Sequence, residues 1–339
     1  MHKIFCFGEI LMRMSPALNG RWLQQNDMPV YIGGAELNVA TALAKWNTPT
    51  GYCTAMPEHY LSHEIVQYIR HKNIDTAPMR FSGSRIGIYF LPEGADLKHA
   101  GVIYDRAHSS FAELQPGEIN WNELLKEYTW FHFSAISPAV SESAAQVCLE
   151  AVKAASEKNI TVSVDLNYRA KLWKYGIAPP AIMQQLLPYC HVVMGNIWSA
   201  NALLGIDIDE QIHDKKSKQA YTDHAEITAK TIMQQFPACH TVANTFRFDD
   251  NAGIRYYASL HTGNAPYISQ EFASKKVIDK AGSGDCFMAG LIYAATNSYQ
   301  PQSTINFAAA AAFGKLHEAG DTTSQTIEQI QSTIKKIHA

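Results

Sequence analysis

No stretch of the sequence approaches the roughly 18 consecutive apolar residues of a membrane span. The opening, MHKIFCFGEILMRMSP, meets polar residues after a short apolar stretch, too early for the apolar region of a signal peptide. A first β-strand in a cytoplasmic protein is expected. Charge of one sign is also missing: 28 Lys and Arg face 31 Asp and Glu, a formal net charge of -3, so there is no electrostatic footprint for nucleic acid. Any ligand must be recognised locally. The six cysteines, Cys6, Cys53, Cys148, Cys190, Cys239 and Cys286, include no close pair of the kind that marks zinc or redox motifs, and buried free thiols are expected. Neither the Gly-Lys-Ser/Thr end of a P-loop nor a G-x-G-x-x-G dinucleotide turn is present.

What is present is a chain of 339 residues, 47% hydrophobic and 17% charged, which fits one large globular domain, with or without a smaller appendage. Apolar, β-branched runs alternate with helical patterns: KIFCFGEI, AELNVATALAKW, TGYCTAM and SHEIVQYIRHKN, later WFHFSAI, ITVSVDLN, HVVMGN and HTVANT. This alternation predicts an α/β fold with a doubly wound, mostly parallel sheet flanked by helices, which binds ligands at the carboxyl ends of its strands. A different texture, RIGIYFLPEGADLKHAGVIYDRAHSS, reads as a hairpin forming a small antiparallel lid. On its second strand Tyr104 and Arg106 share one face and Asp105 takes the other. Residues 207–226 are charged and poor in core residues and read as a solvated insertion, and the alanines of FAAAAAFGK read as a closely packed helix face. His59 and His63 have the i, i+4 spacing of metal ligands, but Ser62 reads as the cap of a helix beginning between them. No metal-ligating set is assigned.

The most informative stretch is DKAGSGDCFMAG, residues 279–290. Gly282, Ser283 and Gly284 precede a well-patterned helix and should offer free N–H groups to phosphate at its N-terminus. Asp285 follows in the first turn, where it would repel a bound phosphate unless it takes up a proton, as a general base for an attacking hydroxyl does. The bland reading is a tight turn followed by an acid that favours the helix dipole. In YIGGAELN, Gly33 and Gly34 suit close backbone approach of a ligand before a helix opening at about Glu36. VDLNYR gathers Asp165, Asn167 and Arg169 at the end of a strand. If Arg169 and Arg106 converge, their guanidinium forks suit a carboxylate or a phosphate, and ordinary loop residues are the alternative. Cys286, beside the acid at a helix N-terminus, reads as a small packed residue.

In this order, GGAELNVATALAKW, DLNYR and DKAGSGDCFMAGLIYA resemble the ribokinase-like (PfkB) sugar kinases. GEILMRMSP, GVIYDRAHS, WFHFSAISPA, DLNYRAKLW and KLHEAGD are similar, within that family, to the 2-dehydro-3-deoxygluconate kinases. The resemblance runs from about Ile4 to Asp321. It implies one ribokinase-like kinase domain over residues 1–339, with a lid from segments at about 12–33 and 83–110. It also implies transfer of the γ-phosphoryl of ATP, with Mg²⁺, to the 6-hydroxyl of a 2-keto-3-deoxy sugar acid. Asp285 would be the base, and Gly282, Ser283 and Gly284 the anion hole. Gly34, Asn38, Tyr89, Tyr104, Arg106 and Arg169 would hold the sugar acid, with Gly33 and Asn167 beside them. A homo-oligomer through the lid is implied too, because an open lid leaves a sheet edge and a face uncovered.

One departure stands out. Where the family carries Asn-x-x-Glu to organise magnesium and phosphates, this chain has NIWS, keeping Asn196 and placing Ser199 at the Glu position. A weaker hold on Mg²⁺ follows. The competing readings are a kinase for a neutral sugar such as fructose or ribose and an idle sugar-acid binder.

Overall fold

The computed structural model of the chain, which describes residues 2–17, 22–24, 27–92, 101–215, 217–250, 253–263 and 265–335, turns the apolar runs into a central sheet. Among the described residues this sheet has ten strands. From Ile74–Asp75 it runs through Thr50–Cys53, Ile4–Phe7, Trp130–Ser134, Thr161–Asp165 and Val192–Gly195 to Thr241–Asp250, all parallel. An antiparallel extension, Gly253–Thr262 with Ala265–Ile268 and Phe272–Ser274, completes it. In Ile4–Phe7, Phe5 and Phe7 enter one core while Ile4 and Cys6 enter the other, the two-residue alternation of a strand buried on both faces. Each Phe is fully buried, a contribution of about 1.5–3 kcal/mol apiece.

Helices cover both faces. Glu142–Glu157 and Pro179–Leu186 pack on one, and Ala35–Lys45, Ser283–Thr296 and Pro301–Lys315 on the other. The alanine run lies inside Pro301–Lys315 and permits the close contact expected of it: a Cβ on Gly290 would stand 2.7 Å from Ala308 Cα. All six cysteines are free and buried. Cys286 donates to the Ala311 carbonyl, and burial pushes its thiol well up, the state of a packed residue. No helix among the described residues is long and apolar enough to cross a membrane.

Two local expectations are corrected. The helix after MPEH is Tyr60–Arg70 and its cap is His59, whose side chain accepts from Ser62 N at 3.2 Å. Ser62 therefore lies within the first turn and does not cap it. The described residues contain no cluster of metal-ligating side chains. Residues 207–226 are not a solvated insertion throughout: Ile212 and Tyr221 are buried with Phe246 and Tyr257, and the amphipathic helix Lys218–Gln235 begins inside the segment. Its charges occupy only the outer face.

A second sheet of four strands lies apart from the first, in the order Val30–Gly33, Leu11–Met14, Gly87–Phe90, Ile103–Asp105. The hairpin expectation holds, with Tyr89 opposite Tyr104 in antiparallel register, although much of its link, residues 93–100, lies outside the described residues. Leu11, Arg13, Gly33, Tyr89 and Arg106 are buried on the inner side, whereas Asp105 faces outward to Arg85 at 2.7 Å.

Candidate active site

The carboxyl ends of the parallel strands, the inner side of the small sheet and the N-terminus of Ser283–Thr296 line one open cleft, about 1150 Å³ counting the solvent at its mouth. Parallel strands all end on the same edge, so residues distant in sequence are delivered together. Asp165, Asn167 and Arg169 come from the end of Thr161–Asp165, and Asn196 and Ser199 from the end of Val192–Gly195. Tyr89, Tyr104 and Arg106 arrive from the small sheet, and Gly34 and Asn38 from the start of Ala35–Lys45. Gly33 is the exception among the expected site residues. It is absent from the lining because its Cα packs on Asp321, where a Cβ would fall 2.3 Å from Oδ2.

Gly282 caps Ser283–Thr296 with φ 73°, a left-handed conformation open to glycine at little cost. Its carbonyl accepts the first helical bond, from Cys286 N at 2.8 Å. The N–H groups that begin the helix therefore have no partner within it and face the cleft. Gly284 also lines the cleft, and a Cβ there would have nothing nearer than Met194 Cε at 4.0 Å. Ser283 turns its hydroxyl away, donating to the Ala312 carbonyl at 3.0 Å, so its backbone is what it offers.

Asp285 stands in the first turn, 8% exposed. Burial pushes its carboxyl up to about 7, with the Glu36 and Asp321 charges adding to the effect and the Asn38 hydrogen bond and Arg169 opposing it. Asn38 Nδ2 donates to Asp285 Oδ2 at 2.7 Å. Asn38 Oδ1 is buried without a partner among the described residues, an acceptor suited to a substrate hydroxyl. Asp165 is likewise raised by burial first and by the Asp285 charge second. Behind both acids sits Glu36, which accepts from Ser134 N and from the Ser134 and Ser137 hydroxyls at 2.7–2.9 Å. Its carboxyl is raised by burial, against the pull of those donors.

The two arginines share the cleft but differ in state. Arg106 is engaged by Glu9, its Nε donating at 2.8 Å and its Nη2 forming a closer ion pair. Arg169 is partly exposed, and among the described residues its Nη1 donates to the Tyr168 carbonyl at 3.0 Å.

A helix N-terminus open to an anion, a buried acid raised to about 7 beside it and a polar pocket under a small sheet together supply what phosphoryl transfer requires. Residues 1–328 match the pfkB family of carbohydrate kinases. The chain belongs to that family. The fold is ribokinase-like, and the protein is a sugar kinase. A crystal structure of 2-dehydro-3-deoxygluconokinase from Thermotoga maritima superposes with a TM-score of 0.89 at 31% identity, covering 99% of this chain and 100% of that one. A 2-dehydro-3-deoxygalactonokinase of Haloferax volcanii is 24% identical over 98% of this chain and 96% of its own length. A fructokinase with bound ATP from Xylella fastidiosa shares the fold at a TM-score of 0.75, with 19% identity and 99% of each chain covered.

Several residues of this kinase's cleft were not singled out from the sequence: Thr245, Arg247, Tyr256, Lys280 and Asp321. Thr245 and Arg247 follow HTVAN, a run ending at the ligand edge of the sheet, so the rule that placed DLNYR would have found them. Lys280 and Asp321 stand inside DKAGSGD and KLHEAGD, stretches read only for their glycines and acids or for their likeness to relatives. Glu9 gave no signal, because its partner Arg106 is 97 positions away.

Proposed function

We propose that this kinase transfers the γ-phosphoryl of ATP to the 6-hydroxyl of 2-dehydro-3-deoxy-D-gluconate. The observation that carries the sugar-acid reading is Arg169, a cation at the cleft wall that is in no ion pair among the described residues. A guanidinium in that state favours a carboxylate-bearing substrate. Tyr89, Tyr104 and Asn38, whose Oδ1 is orphaned among the described residues, line the same space, as do Gly34 and Asn167.

In the proposed reaction Asp285 takes the proton of the 6-hydroxyl as that oxygen forms its bond to Pγ. The bond from Pγ to the β–γ bridging oxygen breaks, and ADP leaves with that electron pair. Gly282, Ser283 and Gly284 present N–H groups to the charge that gathers on the transferring group. A base near pH 7 suits this task, since it is ionised in part and still basic.

Asn196 and Ser199 lie on the nucleotide side. Asn196 Oδ1 caps its helix by accepting from Ser199 N at 2.9 Å, and Asp165 adds a carboxylate to the same lining. These oxygen donors fit Mg²⁺, which needs few protein ligands when phosphates and water provide the rest. When bound, the ion neutralises charge on the nucleotide phosphates.

The small sheet is proposed to act as a lid, from segments at about 12–33 and 83–110 of a single kinase domain, and to join copies of the chain. Met12, Ile32, Ile88 and Phe90 are only partly buried on its outer side, and Val30 and Ile103 are 47% and 50% exposed. Sedimentation at several concentrations tests this, and a monomer throughout would remove it. Six free buried thiols accord with a reducing, cytoplasmic setting.

A neutral-sugar kinase remains the second reading, favoured by the Glu9–Arg106 pair, which already engages one of the two arginines expected to hold an acid. ADP release with ATP and a magnesium series, offering the gluconate-derived acid, its galactonate epimer, fructose and ribose, separates the readings. Turnover of the acids, weakened by about 2 kcal/mol in Arg169→Ala, is expected. Turnover of fructose or ribose alone, untouched by that change, would replace the first reading with the second.

A further inference from the structure

Beneath the anion-hole turn lies a buried charge network that the reaction as described does not use. Arg13, on the inner face of lid strand Leu11–Met14, is 0% exposed. Its Nη2 donates to Asp279 Oδ2 at 2.6 Å, and its Nε is 2.9 Å from Asp321 Oδ1. The adjoining lid strands reach the same place: the Tyr31 ring lies 4.5 Å from the Arg13 guanidinium, and Tyr89 donates its hydroxyl to Asp321 Oδ2 at 2.9 Å. Burial opposes the guanidinium charge, but Asp321 and Asp279 hold it firmly protonated.

Both aspartates also shape the turn. Asp279 Oδ1 accepts from Ala281 N at 3.0 Å, immediately before Gly282, and its Oδ2 accepts from Gly320 N at 3.2 Å. The Asp321 carbonyl presses so close to Gly282 that a Cβ there would be 1.8 Å away. Buried ion pairs are poor sources of stability, because desolvation consumes most of the attraction. Their use here is geometric.

We propose that Arg13 is a positioning residue which, through Asp279 and Asp321, locks the anion-hole turn to the lid, so that closure over the sugar and alignment of the N–H groups on the phosphoryl are set together. The lock rests on the reading of residues 282–285 as the transfer site. Asp285 is faced by Glu36 from Ala35–Lys45, by Asp165 and Arg169 from the sheet edge, and by Asp321 from the lock itself. Removing the Asp321 charge therefore also favours ionisation of Asp285.

The test uses Asp321→Asn, the double variant Arg13→Met with Asp321→Asn, which removes one charge of each sign, and Asp285→Asn as a control for the site. Expected for both lock variants is a fall of about tenfold or more in kcat, with the KM for the sugar within about threefold. The acidic limb of the kcat/KM profile should move to lower pH in Asp321→Asn. Wild-type kcat in a folded lock variant, or a loss confined to KM, overturns the lock while Asp285→Asn is inactive. Full activity in Asp285→Asn would overturn the transfer-site reading instead. If Asp321→Asn unfolds, the charge-balanced double variant decides by the same kcat and KM criteria, and its own failure to fold would make the network a stability element and overturn the proposal.

Discussion

Asn38 and Asp285, 247 positions apart, meet at 2.7 Å where the first turns of two packed helices reach the cleft wall. The amide donates to the carboxylate and so pulls its titration down against burial, which pushes it up. Asn38→Ala removes the opposing influence. The acidic limb of kcat/KM should move to higher pH, so the variant loses more activity at pH 6 than at pH 8. A rate profile over about pH 5.5–9 on the preferred sugar checks this, and an unmoved limb would show that the bond has no hold on the base.

Asp285 also couples stability to pH. Its folded carboxyl titrates near 7 against an ordinary 3.8, so the folded state binds that proton more tightly than the unfolded one. Its contribution is complete below about pH 4 and is lost as pH rises through 7. Asp285→Asn, which cannot ionise, should therefore gain on the wild type by about 2–4 kcal/mol at pH 8 and by little at pH 4. Denaturant unfolding at the two pH values measures the difference, and an equal effect at both would contradict it.

Ser199 marks a place where a carboxylate would strengthen the side of the cleft proposed for the nucleotide. Ser199→Glu restores an oxygen ligand or water-holding group near Asn196 and Asp165. The Mg²⁺ concentration for half-maximal rate should fall about tenfold, with the KM for the sugar unchanged. A magnesium titration of ADP release reads this directly, and no change would place the ion elsewhere.

Gly282 tolerates no side chain. At φ 73°, with the Asp321 carbonyl oxygen only 1.8 Å from where a Cβ would stand, Gly282→Ala must shift the turn or the backbone behind it. A loss of about 2 kcal/mol or more in stability is expected, together with a large fall in kcat. Thermal unfolding beside steady-state rates checks both, and a stable, active variant would refute the close approach.

Much of this molecule is legible in its residues. The period-2 burial of IFCF, the helix after AGSGD and the shared face of Tyr104 and Arg106 all follow from local rules, since side-chain direction and helix capping are decided within a few residues. The cap of Tyr60–Arg70 escapes those rules because a histidine ring does the work usually done by a serine hydroxyl. The charged texture of residues 207–226 conceals a helix whose inner face packs, since Ile212 and Tyr221 are few among many charges.

By itself the sequence determined the α/β alternation, the glycine turn that opens Ser283–Thr296 and the acid that follows it. Only the tertiary structure decided that Glu9 engages Arg106, that Asn38 reaches Asp285, and that Arg13 joins the lid to Asp279 and Asp321. The pairs of Glu9 with Arg106, Asn38 with Asp285 and Arg13 with Asp279 span 97, 247 and 266 positions. Local propensity carries no information over such separations. The pairs exist because the small sheet, two helix starts and the strand edge close on one cleft, where burial obliges each charge to find a partner.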